Sequence, residues 1–128
     1  MNLQLSLKQK WFEMTASGEK PEDYREITPY WCARLLLYDN NRRSQAFWRT
    51  YLHACNLQLA SPNDITNGVS LRQFKTNTLT LGYPKATDTD KILKYKHAGI
   101  EIRTGNPEWG AEKDKLYFVI KHGKRLWK

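Results

Sequence analysis

Leu3, Leu5 and Leu7 alternate with polar neighbours at the start of the chain, the period of a strand with one buried face. From Lys8 the period changes. Leu7, Trp11 and Met14 recur at helical spacing, and Gly18 is placed to end that helix in a left-handed conformation. Tyr24 to Ile27 then reads as a second strand. Thr28-Pro29 predicts an N-cap and first turn, with a short helix from Tyr30 to about Leu36. Asp39, Asn40 and Asn41 suit a turn. The clearest helix is expected over 42–57, with Phe47, Trp48, Tyr51, Leu52 and Cys55 as its apolar stripe and Arg42, Arg49, His53 and Asn56 opposite. Residues 60–70 have loop composition. Strand patterns return at 73–81, 91–96, 99–104 and 115–121. The last, KLYFVIK, is apolar on both faces and therefore predicts a strand inside a sheet. GNPEWG at 105–110 makes a tight connection. Early helices and late strands predict an α+β fold, and no internal repeat or boundary divides residues 1–128 into more than one domain.

Composition narrows the partner. The 128 residues are 40% hydrophobic and 12% aromatic, enough to build a core. The formal net charge is +8 and the isoelectric point about 9.6, which favours a polyanionic partner. Cys32 and Cys55 form no CxxC pair. The opening MNLQLSLKQKW lacks a charged start followed by a long apolar run, so the expected location is cytoplasmic, with both thiols reduced. No apolar run approaches the roughly 18 residues that would cross a membrane.

The candidate chemistry concentrates in GEKPEDYREITPYW, residues 18–31. In an extended run, Lys20, Glu22, Tyr24 and Glu26 would share one face, and Asp23 and Arg25 the other. Lys20 suits a phosphate or a carbonyl, or proton transfer when desolvated. Arg25 offers a planar fork for phosphate or a guanine edge. Tyr24, Tyr30 and Trp31 can stack on a base for about 1–3 kcal/mol. The bland alternative is a set of surface ion pairs worth about 0–1 kcal/mol, with Trp31 in the core.

Other candidates carry two readings each. Arg42, Arg43 and Arg49, with Lys124, Arg125 and Lys128, make either a phosphate-contacting rim or a solvated face. Gly82-Tyr83 is either a point where a base approaches the backbone or a plain turn. Trp109 is read as a lock on its turn rather than a stacking platform. Glu108 and Glu101 are candidate downstream acids, although Glu101 and Arg103 alternate as a solvated ion pair would. No cofactor is expected. His53 and Cys55 are two apart on a helix, and His97 and His122 have no spaced partners, so no metal site is expected. No glycine-rich phosphate loop or nucleophile motif is present.

The order of LSLKQKWFEMTASGEK, EDYREITPYW, LTLGYP and GNPEWGAEKDKLYFVIK resembles the ASCH family of the PUA-like superfamily, across nearly the whole chain. Residues 39–70 are its least typical part, a helical insert. The resemblance implies a small mixed β-barrel with flanking helices and a cleft beside the GEK segment. It implies a cytosolic role near RNA, as an RNA binder or coregulator. Charge and aromatic placement, taken with the resemblance, point to RNA or a nucleotide as partner, with single-stranded DNA as an alternative and Lys20, Tyr24, Arg25, Tyr30, Trp31, Gly82, Tyr83, Arg42 and Arg49 as candidate contacts. Some ASCH proteins are enzymes, either endoribonucleases or an amidohydrolase of N4-acetylcytidine. If this chain is a hydrolase, Lys20, Glu22, Asp23 and Tyr24 are the candidate catalytic residues. In the amidohydrolase type the motif lysine, here Lys20, works with a threonine three positions later and a downstream glutamate. Asp23 stands at the threonine position, so that nucleophile is absent. A third reading is a protein-interaction module that docks through the 42–57 helix.

Overall fold

The computed structural model describes residues 1–54 and 68–127. β1 (Asn2–Leu7) buries Leu3, Leu5 and Leu7, as their alternation predicts. α1 (Gln9–Ala16) buries Phe12 and Thr15, while Trp11 and Met14 are only half-buried. The inward face is thus rotated from the expected Leu7–Trp11–Met14 stripe. Leu7 still belongs to the strand, so it does not set the phase of the helix, and Phe12 does. Gly18 ends the helix with φ +85°. Its N–H reaches Thr15 O at 3.1 Å and the Lys20 N–H reaches Met14 O at 3.0 Å, which turns the chain back toward the sheet.

β2 (Glu22–Glu26) follows, then α2 (Pro29–Leu35), whose first turn is capped by Thr28 Oγ1 accepting from the Trp31 N–H at 3.3 Å. α2 buries Cys32 and Leu35. β3 (Leu36–Tyr38) leads into the Asp39-Asn40 turn. α3 (Gln45–Ala54) starts later than expected because Ser44 caps it, its Oγ accepting from the Phe47 N–H at 3.2 Å. Trp48 is wholly buried, and Phe47, Tyr51 and Leu52 pack on the core as their stripe predicts. Cys55, Asn56 and most of the expected loop lie outside the described residues. The end of that loop is instead β4 (Val69–Leu71), paired antiparallel with β3, which buries Val69.

β5 (Thr76–Leu81) precedes the two longest strands. The two strands expected over 91–104 form one, β6 (Ile92–Thr104), which stays continuous by absorbing register irregularities between Lys94 and Ile100 as bulges. β7 (Leu116–Trp127) extends beyond the expected end because it stays paired with β6 as far as Trp127. Its Tyr117–Ile120 stretch is buried on both faces, as expected for a strand flanked on both sides.

The main sheet has the order β1-β5-β6-β7-β2 and curls into a half-barrel, so the fold is α+β as predicted. β1 and β2 are its two outer strands, yet Arg25 Nη2 on β2 donates to Ser6 O on β1 at 2.8 Å. The curl therefore brings the two edges together, and Arg25 spans the seam between them. It also satisfies a carbonyl that an open edge leaves unpaired.

A neutral polar cluster sits inside the sheet. Asn77 is wholly buried, and its Nδ2 donates to Lys121 O at 3.2 Å, which fixes the orientation of the amide. Its Oδ1 then accepts from His97 Nδ1 at 2.7 Å, and its Nδ2 also donates to His122 Nδ1 at 2.9 Å. Burial pushes the His122 imidazole down to about 4, and burial also lowers that of His97.

Candidate functional site

The opening charged run lies along one edge of the seam. Lys20 and Asp23 are each only 3% exposed. Lys20 Nζ donates to Asp23 Oδ1 at 3.2 Å, and Arg25 Nε donates to Asp23 Oδ2 at 2.6 Å. One carboxylate thus anchors two cations. Lys20 precedes the first residue of β2, so strand alternation does not govern it, and it joins Asp23 and Arg25 instead of the expected Glu22, while still facing the Tyr24 ring. Such a buried chain is costly unless each charge is paired, because desolvation opposes it.

A cavity of about 270 Å³ opens over this chain, lined by Ser6, Trp11, Lys20, Asp23, Tyr24, Arg25 and Trp109 among others. Lys20 Nζ lies 5.5 Å from the Trp11 ring centroid and 5.7 Å from that of Tyr24. Trp109 reaches the cavity from the Pro107–Trp109 turn, so this residue, read as a lock on that turn, also walls the cavity. Gly110 closes the turn at φ +101°, and a Cβ there would lie 2.9 Å from the Trp11 ring, so a larger residue is excluded twice over.

A second cavity of about 410 Å³ shares Ser6 and Arg25 with the first and adds Tyr30, Trp31, Arg34 and Tyr83. Three aromatics expected from sequence thus meet around Arg25. The Arg25 guanidinium lies 5.0 Å from the Trp31 ring, and that of Arg34 lies 5.4 Å from Tyr30 and 5.6 Å from Trp31. Tyr30 and Trp31 meet edge to face at 5.2 Å. Tyr83 is 96% exposed and packs little against the protein. Gly82 provides the turn that displays it. The Gly82 carbonyl is already taken by the Ser6 hydroxyl at 3.1 Å and the Thr80 hydroxyl at 2.9 Å.

Other candidates are drawn elsewhere. Glu22 points to Arg103, at 2.6 Å, and accepts from the Tyr24 hydroxyl at 2.6 Å. Burial opposes its ionisation, but the hydrogen bonds from Arg103 and Tyr24 outweigh burial and hold the carboxyl below its ordinary range. The Tyr24 hydroxyl also accepts from the Asn106 N–H at 2.9 Å, and burial, with Glu22 beside it, pushes the phenol up to about 12. Tyr24 therefore offers the cavity its ring. Glu101 bonds Arg103 at 2.9 Å, as alternation predicts, and also Lys121 at 2.8 Å. Glu108 is exposed. Arg43 donates to Tyr38 O, and Arg49 lies by a separate hollow with Leu52 and His53. Arg42 is exposed before α3 begins and joins Arg34 and Arg72 instead of Arg49, so the expected helical arginine face does not form. Lys128 and the Cys55 half of the His53–Cys55 pair lie outside the described residues. Among the described residues no three His, Cys, Asp or Glu side chains group to hold a metal, and no helix is long and apolar enough to cross a membrane.

Sequence reasoning missed Ser6, Trp11, Arg34 and Arg72. The signal for Trp11 and Arg34 was present in the helical phase of α1 and α2, but Ser6 and Arg72 acquire a role only through long-range contact. No protein-family model, curated protein or solved structure matches this chain.

Proposed function

We propose that this chain is a PUA-like domain of the ASCH type that binds a nucleotide or a single strand of RNA in the seam cleft, in a cytoplasmic setting. The carrying observation is that Arg25 links the Lys20 cavity to a second cavity walled by Tyr30, Trp31 and Tyr83. An unpaired base stacks on the aromatic wall, while Lys20 and the free edge of the Arg25 guanidinium attract phosphate. The net charge of +8 supplies long-range attraction for either RNA or single-stranded DNA. The test is fluorescence anisotropy of a labelled RNA oligonucleotide, with circular dichroism checking the fold. Lys20→Ala and Arg25→Ala should each weaken binding strongly. Wild-type affinity in both folded variants would remove the site.

A hydrolase is the second reading, an endoribonuclease or an amidohydrolase of a modified pyrimidine nucleoside. What favours it is the buried Lys20–Asp23 pair on the wall of a cavity, because ionisable groups are held there at a cost in desolvation. Incubation with total RNA plus acetylated cytidine, read by mass spectrometry beside Lys20→Ala, separates the two. A product formed by the wild type alone would make the chain an enzyme.

A further inference from the structure

A third hollow, about 250 Å³, continues from the cleft past Arg34, which lines both. Arg42, Arg72 and Phe74 complete its charged and aromatic wall. None of the seven ion pairs among the described residues involves Arg34, Arg42 or Arg72. Three guanidinium groups therefore converge with their charge uncancelled by any described carboxylate. Arg72 is held in place, donating to Arg34 O at 2.7 Å and lying 5.1 Å from the Phe74 ring. Arg34 lies over Tyr30 and Trp31, and its Nε is buried without a hydrogen-bond partner. Burial lowers the Arg72 pKa, and the like charges of Arg42 and Arg34 lower it further. An anion among the three would relieve that repulsion.

We propose that Arg34, Arg42 and Arg72 form a phosphate site that takes the backbone phosphodiester of a single RNA strand whose base lies in the adjoining cleft. This rests on the nucleotide-binding reading of that cleft. Arginine suits the task because its planar fork meets phosphate oxygens two at a time and keeps its charge at any physiological pH. Arg34 connects the two subsites, with its guanidinium over the aromatic wall on one side and among the arginines on the other. A mononucleotide would fill the cleft alone, and a strand would engage both.

The test compares a fluorescein-labelled eight-nucleotide uridine RNA with uridine monophosphate across a salt series. The variant is Arg42→Ala, which removes an exposed side chain without breaking a hydrogen bond among the described residues, beside Tyr83→Ala. Oligonucleotide affinity should fall by about tenfold in Arg42→Ala, the scale of one charged hydrogen bond. The slope of log K against log salt should flatten by about 0.7. Affinity for uridine monophosphate should stay at the wild-type value. Unchanged oligonucleotide affinity and slope in Arg42→Ala would overturn the proposal and leave the cleft standing if Tyr83→Ala weakens binding. Equal loss for oligonucleotide and monophosphate would also overturn it, because Arg42 would then act on the cleft itself. If Arg42→Ala weakens the oligonucleotide and Tyr83→Ala does not, the arginine site stands and the cleft reading fails. No oligonucleotide binding by the wild type would overturn both.

Discussion

The cations of this protein divide into two regions that differ in what cancels them. Along β2, β6 and β7, Lys20 and Arg25 share Asp23, Arg103 bridges Glu22 and Glu101, and Lys121 closes on Glu101. Around α2 and the segment after β4, Arg34, Arg42 and Arg72 have no described carboxylate partner. In the first region three carboxylates, Asp23, Glu22 and Glu101, offset most of the charge of four cations, so these pairs hold strands in place and fix the seam, and the surplus charge stays with Lys20 and Arg25, which share one carboxylate. The second keeps its field, and an uncancelled field is available to a ligand. Net charge alone does not distinguish the two, since both contribute cations to the same total.

The largest expected effect breaks the paired region. Asp23→Ala leaves Lys20 buried without its partner and should cost about 3–5 kcal/mol in urea unfolding. Adding Lys20→Met should recover part of that loss. A cost no greater than that of an exposed ion pair would mean that the chain of charges does not brace the seam. Acid sharpens the same contrast. His122 titrates near 4 in the folded protein against an ordinary 6.5, so the unfolded chain takes up its proton first as pH falls. The stability is complete above 6.5 and lost progressively down to about 4, by about 3 kcal/mol. Glu22, also lowered on folding, adds a further loss as pH falls from its ordinary 4.5 through its folded value. Unfolding midpoints measured across this range should show both steps, and His122→Asn should shrink the first to the part that His97, also lowered by burial, contributes. The smallest effect falls outside the paired region and spares stability. Tyr83→Ala should leave the unfolding midpoint unchanged, because the ring is almost wholly exposed, and weaken RNA binding by about 1–3 kcal/mol. A large stability loss would place Tyr83 with the core instead.

Much of the architecture was legible in local pattern. Leu3, Leu5 and Leu7 marked β1, Thr28-Pro29 the start of α2, and the Phe47–Leu52 stripe the buried face of α3. Each of these signals is confined to a few neighbouring residues. Errors came where a partner strand decided the outcome. Val69 joined a strand because β3 lay beside it, and β6 remained one strand because β5 and β7 paired along it through its bulges. In the candidate site, Lys20, Arg25, Tyr30, Trp31 and Tyr83 were legible as residue types suited to a base and a phosphate. The partner of Lys20 was not, because Lys20 precedes the β2 alternation, which begins at Glu22.

By itself, then, the sequence determined an α+β chain with a basic surplus and a charged, aromatic run leaving a helix, since periodicity, capping and charge are local or additive. Only the tertiary structure decided where that surplus is cancelled. The curl of the main sheet sets Arg25 against Ser6, nineteen positions away, and the pairing of β3 with β4 brings Arg72 to Arg34, thirty-eight positions away. Contacts across such separations depend on how the strands are ordered and how far the sheet bends, which no short stretch of residues encodes.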